Sequence, residues 1–87
     1  MPHFIAVHPV ALKEADLMSL LGRRDELPSS VTWHATFVAE SDHLTYCEWD
    51  GPDESMLREI FEAFGVPYRE IHEVRAFRPA EALAPAA

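Results

Sequence analysis

The stretch from Val31 to Asp50, VTWHATFVAESDHLTYCEWD, limits the possible folds of this chain most strongly because it has the pattern of a β-hairpin. Successive side chains of a strand point to opposite faces of a sheet. With residues 41–43 in a three-residue turn, a common hairpin loop, Glu40 lies opposite Leu44. One face of the hairpin is then mostly apolar, which predicts that it packs on a core. The members of this face are Trp33, Ala35, Phe37, Ala39, Thr45, Cys47 and Trp49.

The opposite face of the hairpin carries groups that can bind a ligand. They are His34, Thr36, Tyr46, Glu48 and Asp50. Imidazole and carboxylate ligands together suit divalent transition metals such as nickel, zinc or manganese. We therefore predict that His34, Glu48 and Asp50 bind a metal ion, and that Thr36 and Tyr46 line a ligand pocket beside them. A solvated face, or hydrogen bonding across a dimer interface, would account for the same pattern.

Two helices and two further strands flank the hairpin. The apolar run His3–Val7 predicts a strand, and a helical stripe of apolar residues predicts a helix from Ala11 to Leu21. A proline and acidic residues start a second helix near Pro52, and Gly65 ends it. The last predicted strand covers residues 70–77, EIHEVRAF.

The resulting order, βαββαβ, predicts an α+β fold of the ferredoxin-like type. In this fold a four-stranded antiparallel sheet carries both helices on one face, with the first and third strands at its centre. A second copy covering the open face would give a dimeric α+β barrel, and dimerisation would stabilise a core this small. We predict a single domain over residues 1–78 and a flexible tail over residues 79–87, PAEALAPAA.

The composition disfavours several classes of function. A net charge of −8, with seven scattered basic residues, argues against binding to nucleic acid and against a basic membrane-binding patch. No apolar run approaches the roughly 20 residues of a membrane span. The N-terminus lacks the pattern of a signal peptide, so we expect a cytoplasmic protein.

The single cysteine and the motif pattern make an enzyme the less favoured class. Cys47 has no second cysteine with which to form a disulfide or a CxxC metal knuckle. Its position on the apolar face predicts a buried thiol without the electropositive surroundings that activate a thiolate. The chain also lacks a nucleophile elbow, a glycine-rich phosphate loop and an HExxH helix.

The remaining histidines carry a weaker signal. His3 and His8 flank the first strand and His43 lies in the hairpin turn, so ordinary surface positions account for all three; His3 could also join an adventitious metal site. His72 and Glu73 are neighbours on a strand and point to opposite faces. Only one of these two residues can therefore belong to a site on the open face.

Four short segments stand in an order and spacing typical of one protein family. They are Tyr46-Cys47, Gly51-Pro52-Asp53-Glu54, Gly65-Val66-Pro67 and Glu73-Val74. Through them the chain resembles a small bacterial family of nickel-binding proteins with ferredoxin-like, dimeric folds. The resemblance implies nickel as the metal and a homodimer as the assembly. Because Glu73 matches the family pattern, the resemblance adds it to the predicted ligands; an ion pair with Arg75 is the alternative.

Three hypotheses of function follow. The first is a homodimer that binds nickel or another divalent transition metal and sequesters or buffers it without catalysis. The alternative is a small dimeric-barrel enzyme or carrier that holds an apolar small molecule, with His34 and Asp50 or Glu48 as a proton-transfer pair. The third is a dimerisation module without a ligand. Composition separates none of these.

Overall fold

The computed structural model describes residues 1–83, and its four strands form one antiparallel sheet in the order β2-β3-β1-β4. The elements are β1 (His3–His8), α1 (Glu14–Gly22), β2 (Thr32–Ala39), β3 (Leu44–Asp50), α2 (Glu54–Phe64), β4 (Glu70–Val74) and α3 (Pro79–Ala82), with 3-10 turns at Arg24–Glu26 and Glu40–Asp42. All three strand pairs are antiparallel, and β1 and β3 lie at the centre. The predicted ferredoxin-like α+β fold is confirmed.

Both long helices lie on one face of the sheet, here called the helix face. From α2, Leu57, Ile60 and Phe61 are buried in the core. Helix α1 contains no buried residue, but Leu17 and Leu20 line an apolar gap over the same sheet residues. The buried sheet residues of the core are Phe4, Ala6, Cys47, Trp49 and Ile71. The other face of the sheet is the open face.

Helix α2 has a well-defined start and end. The side chain of Asp53 accepts a hydrogen bond from the backbone N–H of Met56 at 2.9 Å, which caps the first turn. Gly65 ends the helix at φ 69°, in the left-handed conformation that glycine adopts without steric cost. The predicted boundaries of this helix are thus accurate, whereas α1 begins three residues later than predicted, at Glu14.

The hairpin register differs by one residue from the prediction. Ala39 pairs with Leu44, and Phe37 pairs with Tyr46. The loop contains four residues, 40–43, and His43 takes the left-handed conformation (φ 55°). Because the loop is one residue longer than predicted, Phe37 lies on the open face, and the predicted contact between Phe37 and the core is wrong.

The same shift moves Thr36 to the helix face. Thr36 pairs with Cys47, and its Oγ1 accepts a hydrogen bond from Nε1 of Trp33 at 2.8 Å. Thr36 was predicted to line a ligand pocket on the open face, and this prediction is wrong. Tyr46 keeps its predicted place on the open face, since it pairs with Val7 and Phe37.

Strand β4 is shorter than predicted and ends at Val74. Residues 79–82, predicted to be part of a flexible tail, form the short helix α3. The prediction for residues 84–87 lies outside the described part of the chain. Between residues 1 and 83, no helix has the length and apolar character needed to cross a membrane.

Candidate metal centre

A β-bulge in β2 directs His34 to the open face. Trp33 pairs with Trp49 and Ala35 pairs with Glu48, so His34 is the extra residue between them. A bulge places two residues opposite one and can re-aim a side chain. Trp33 therefore stacks on Trp49 on the helix face, with ring centroids 5.9 Å apart, while His34 points to the opposite side.

Asp50 at the end of β3 joins His34 to a second histidine. Nε2 of His34 lies 2.9 Å from Oδ2 of Asp50. Nδ1 of His3 lies 2.6 Å from Oδ1 of the same carboxylate, because His3 and Asp50 are directly paired across β1 and β3. The two imidazole rings are 5.5 Å apart between centroids. The three side chains thus meet at one end of the open face.

The donor atoms of this trio lie close enough together to hold a metal ion. One ligand atom each from His3, His34 and Asp50 lies within 4.8 Å of the others. Donors bind a zinc-sized divalent ion at about 2.1 Å, so two donors of one ion lie roughly 3–4 Å apart. Two imidazoles and one carboxylate match the ligand preferences of divalent transition metals and leave coordination positions for water. The donor set fits such an ion after small side-chain adjustments.

Glu48 contacts the trio from the side. Its Oε2 lies 2.7 Å from Nε2 of His3, on the ring edge opposite Asp50. The same oxygen forms an ion pair with the guanidinium of Arg78, which belongs to the segment between β4 and α3. Only 9% of the Glu48 surface is exposed. Glu48 is therefore placed to orient His3, which makes it an indirect contributor to the predicted site.

These contacts change the pKa values of the groups involved. The hydrogen bond to Asp50 raises the pKa of His3, opposed by burial and supported by Glu48. The pKa of Asp50 is lowered by its hydrogen bonds from His3 and His34. Burial disfavours the charged form of Glu48, but hydrogen bonds from His3 and Arg78 outweigh it and lower its pKa. Both carboxylates are thus ionised at neutral pH, which suits a cation site.

The trio lies in a cleft of about 870 Å³ between the open face and the segment that follows β4. Besides the trio and Glu48, the cleft is lined by Met1, Pro2, Glu73, Val74, Arg75, Ala76, Arg78 and Glu81. The cleft is open to solvent, with His34 exposed at 37% of its side chain. An ion can therefore reach the donor atoms from solution.

Glu73 borders this cleft but is not placed as a ligand. It pairs with Phe4, a buried core residue of the helix face. Its neighbour His72 pairs with Ile5 and lies on the open face, where it contacts Glu70. The preference for Glu73 on the open face is therefore wrong, because the pairing of β4 with β1 sets the opposite orientation.

The sequence prediction left His3 out of the predicted metal ligands and missed the buried state of His8. His3 was interpreted as a surface group, yet it forms two of the contacts in the site. Antiparallel pairing of the first and third strands puts the start of one beside the end of the other, so the predicted topology already implied that His3 and Asp50 are neighbours. His8 is 1% exposed, and its Nδ1–H donates to the carbonyl of Pro67 at 2.7 Å.

Comparison with known proteins identifies the family. The model of a family described as nickel-responsive, SCO4226-like proteins matches residues 6–74, most of the chain. The chain belongs to this family. Of the three proposed donors, His34 and Asp50 lie within the matched residues of the nickel-responsive family and His3 lies just before them.

A solved structure of the SCO4226-like family shows the same fold. The crystal structure of SCO4226 from Streptomyces coelicolor A3(2) is similar to this chain, with a TM-score of 0.68 and 24% sequence identity. The similarity covers 87% of this chain and 99% of that chain. No curated protein sequence matches the chain.

Proposed function

We propose that this protein binds nickel, through His3, His34 and Asp50, and that it serves to sequester or buffer the ion. The observation that carries the proposal is the convergence of three donor atoms within 4.8 Å at one end of the open face. Nickel is proposed over other divalent metals because the family is described as nickel-responsive. Imidazole and carboxylate donors are compatible with that ion.

The electrostatics of the molecule support binding of a cation. The chain has a net charge of −8. Hydrogen bonds from His3 and His34 hold Asp50 in its ionised form. The carboxylate keeps its negative charge when a cation takes the place of the two histidine protons. His3 coordinates only with a neutral ring, so its raised pKa makes proton release part of ion binding.

We propose further that the protein is a homodimer in which two open faces meet. The open face carries apolar side chains without a covering element between residues 1 and 83. Phe37 is 57% exposed there and pairs with Tyr46, and the half-buried side chains of Ile5 and Leu44 lie on the same face. Exposed apolar patches of this kind mark interaction surfaces, and a second copy presents the same patch to the first.

The metal site is tested by calorimetric titration of tag-free protein with nickel at neutral pH. The wild type is expected to bind nickel saturably, and His3→Ala and His34→Ala are each expected to abolish that binding. His43→Ala is the matched control, because His43 is an exposed histidine in the hairpin turn, at the other end of β3. Far-UV circular dichroism checks that each variant remains folded.

Three outcomes of the titration matter. Loss of binding in His3→Ala and His34→Ala, with His43→Ala unchanged, supports the site. Unchanged affinity in both site variants places the ion elsewhere and contradicts the ligand assignment. A wild type that does not bind nickel contradicts the proposed function itself.

A further inference from the structure

The ion pair between Arg78 and Glu48 is connected to the proposed metal centre through His3. Arg78 lies beyond the residues matched by the family model, in the segment that follows β4. Its guanidinium and Nε2 of His3 converge on the same oxygen, Oε2 of Glu48. The chain of contacts therefore runs from Arg78 to Glu48, then to His3, and ends at Asp50.

We propose that Arg78 is a positioning residue for the metal centre: by fixing Glu48, it orients the His3 ring so that Nδ1 faces the ion. The inference rests on the proposed function. Glu48 accepts the N–H of His3 at Nε2, which leaves Nδ1 as the ligand atom on the side of Asp50. Metal-binding histidines commonly donate their second ring N–H to a carboxylate in this way.

Glu48 needs a second partner to hold this position. Its carboxylate is on the central strand β3 and its side chain is 11% exposed. A buried carboxylate is costly unless it is paired and hydrogen-bonded. The Arg78 ion pair meets this need with a side chain that is itself 47% exposed and therefore well solvated. Without Arg78, a carboxylate in this position would turn toward water and lose its alignment with His3.

Arg75 provides a matched control because it is the same residue type three positions earlier. It lines the same cleft as Arg78. Among residues 1–83 it takes part in none of the ion pairs, whereas Arg78 pairs with Glu48. Arg75→Ala and Arg78→Ala therefore remove the same charge from the same cleft, and only the second removes support from Glu48.

The experiment is a double-mutant cycle of nickel affinity, measured by calorimetry on the full chain. We expect Arg78→Ala and Glu48→Gln each to weaken nickel binding by about 10-fold or more, the range seen when outer-shell partners of metal ligands are changed. Because Arg78 acts through Glu48, adding Arg78→Ala to Glu48→Gln is expected to cause no further loss. Arg78→Lys keeps the charge and is expected to lie closer to the wild type than Arg78→Ala, and Arg75→Ala to match the wild type.

Other outcomes overturn the inference. A gain of affinity in Arg78→Ala, in both backgrounds, would mean that Arg78 only repels the ion. An equal loss in both backgrounds would mean that it only holds the C-terminal segment in place, and an unchanged affinity would mean that it has no role. In each of these cases the proposed function survives if the wild type binds nickel and His34→Ala does not; if the wild type fails to bind, both proposals fail together.

Discussion

At the scale of single residues, one strand carries two histidines with opposite electrostatic environments. His3, at the start of β1, lies between two carboxylates, and the hydrogen bond to Asp50 is the main cause of its raised pKa. His8, at the end of β1, is buried on the helix face against the edge of Phe61, and burial lowers its pKa. Nε2 of His8 is buried without a hydrogen-bond partner among residues 1–83. The first histidine thus favours its charged form and the second its neutral form.

The lowered pKa of His8 predicts a loss of stability in acid. As the pH falls below the unfolded-state pKa of about 6.5, the unfolded chain binds a proton that folded His8 resists, so the free energy of unfolding decreases. His8→Phe removes this titration, although it costs about 1–3 kcal/mol at neutral pH because the carbonyl of Pro67 loses its donor. The wild type is therefore expected to lose its advantage over His8→Phe as the pH falls from 7 to 5.

Urea unfolding of both proteins across this pH range measures the difference. His3 has the opposite sign, since its contribution is fully present below pH 6.5 and is lost as the pH rises through its raised folded-state pKa. It titrates equally in both proteins and cancels in the comparison. A stability difference that stays constant from pH 7 to 5 would contradict the role assigned to His8.

At the scale of elements, the bulge in β2 shows what the sequence could and could not predict. Apolar patterning and helix-end residues were enough to predict the strands and helix α2, and the element order βαββαβ was enough to predict the sheet order. They could not predict the four-residue loop or the extra residue at His34, because loop length and bulges depend on backbone geometry and cross-strand packing. The two deviations cancel at Trp33 and His34, which lie on their predicted faces. All residues from 35 to 39, including Thr36 and Phe37, lie on the face opposite to the predicted one.

The same limit explains the errors in the predicted site. His34 and Asp50 meet as predicted, but Glu48 contacts His3 and Glu73 lies on the helix face. The register of β1 with β3 and β4 determines which of the candidate side chains point toward the site. No pattern of residue types determines those registers, although the predicted topology was sufficient to bring His3 beside Asp50.

The bulge predicts a specific effect of Thr36→Val. This change removes the acceptor of the Trp33 N–H and should lower the free energy of unfolding by about 1 kcal/mol. Because the hydrogen bond spans the bulge, we expect nickel affinity to fall as well.

Asp53→Ala is the control, because it removes the cap of α2 at a similar cost of about 1 kcal/mol. Helix α2 lies outside the proposed metal centre, so nickel affinity should be unchanged. Urea unfolding and calorimetry of both variants test this; equal nickel affinities would show that the hydrogen bond between Trp33 and Thr36 does not position His34.

At the scale of the whole molecule, the two faces of the sheet have different roles. The helix face holds the core, and the open face carries the proposed metal centre at one end and an apolar patch around Phe37. If a second copy covers the patch, the two proposed metal centres belong to one assembly. Metal binding and dimerisation then use different parts of one surface.

The proposed dimer predicts that Phe37→Glu is monomeric. A buried, unpaired carboxylate in the centre of the interface would oppose association. Met18→Glu is the matched control, because Met18 is also 57% exposed but lies on α1, which packs on the helix face. Analytical ultracentrifugation should give a dimer for the wild type and Met18→Glu and a monomer for Phe37→Glu. Identical masses for Phe37→Glu and the wild type would place the interface elsewhere or remove it.

The most direct test of the account is the position of nickel in a crystal of the protein grown with the ion. Anomalous diffraction at the nickel absorption edge locates the metal independently of any assumption about its ligands. We expect the strongest anomalous peak between His3, His34 and Asp50, within bonding distance of all three side chains. A strongest peak elsewhere, for example at the exposed pair His72 and Glu70, would contradict the proposed metal centre.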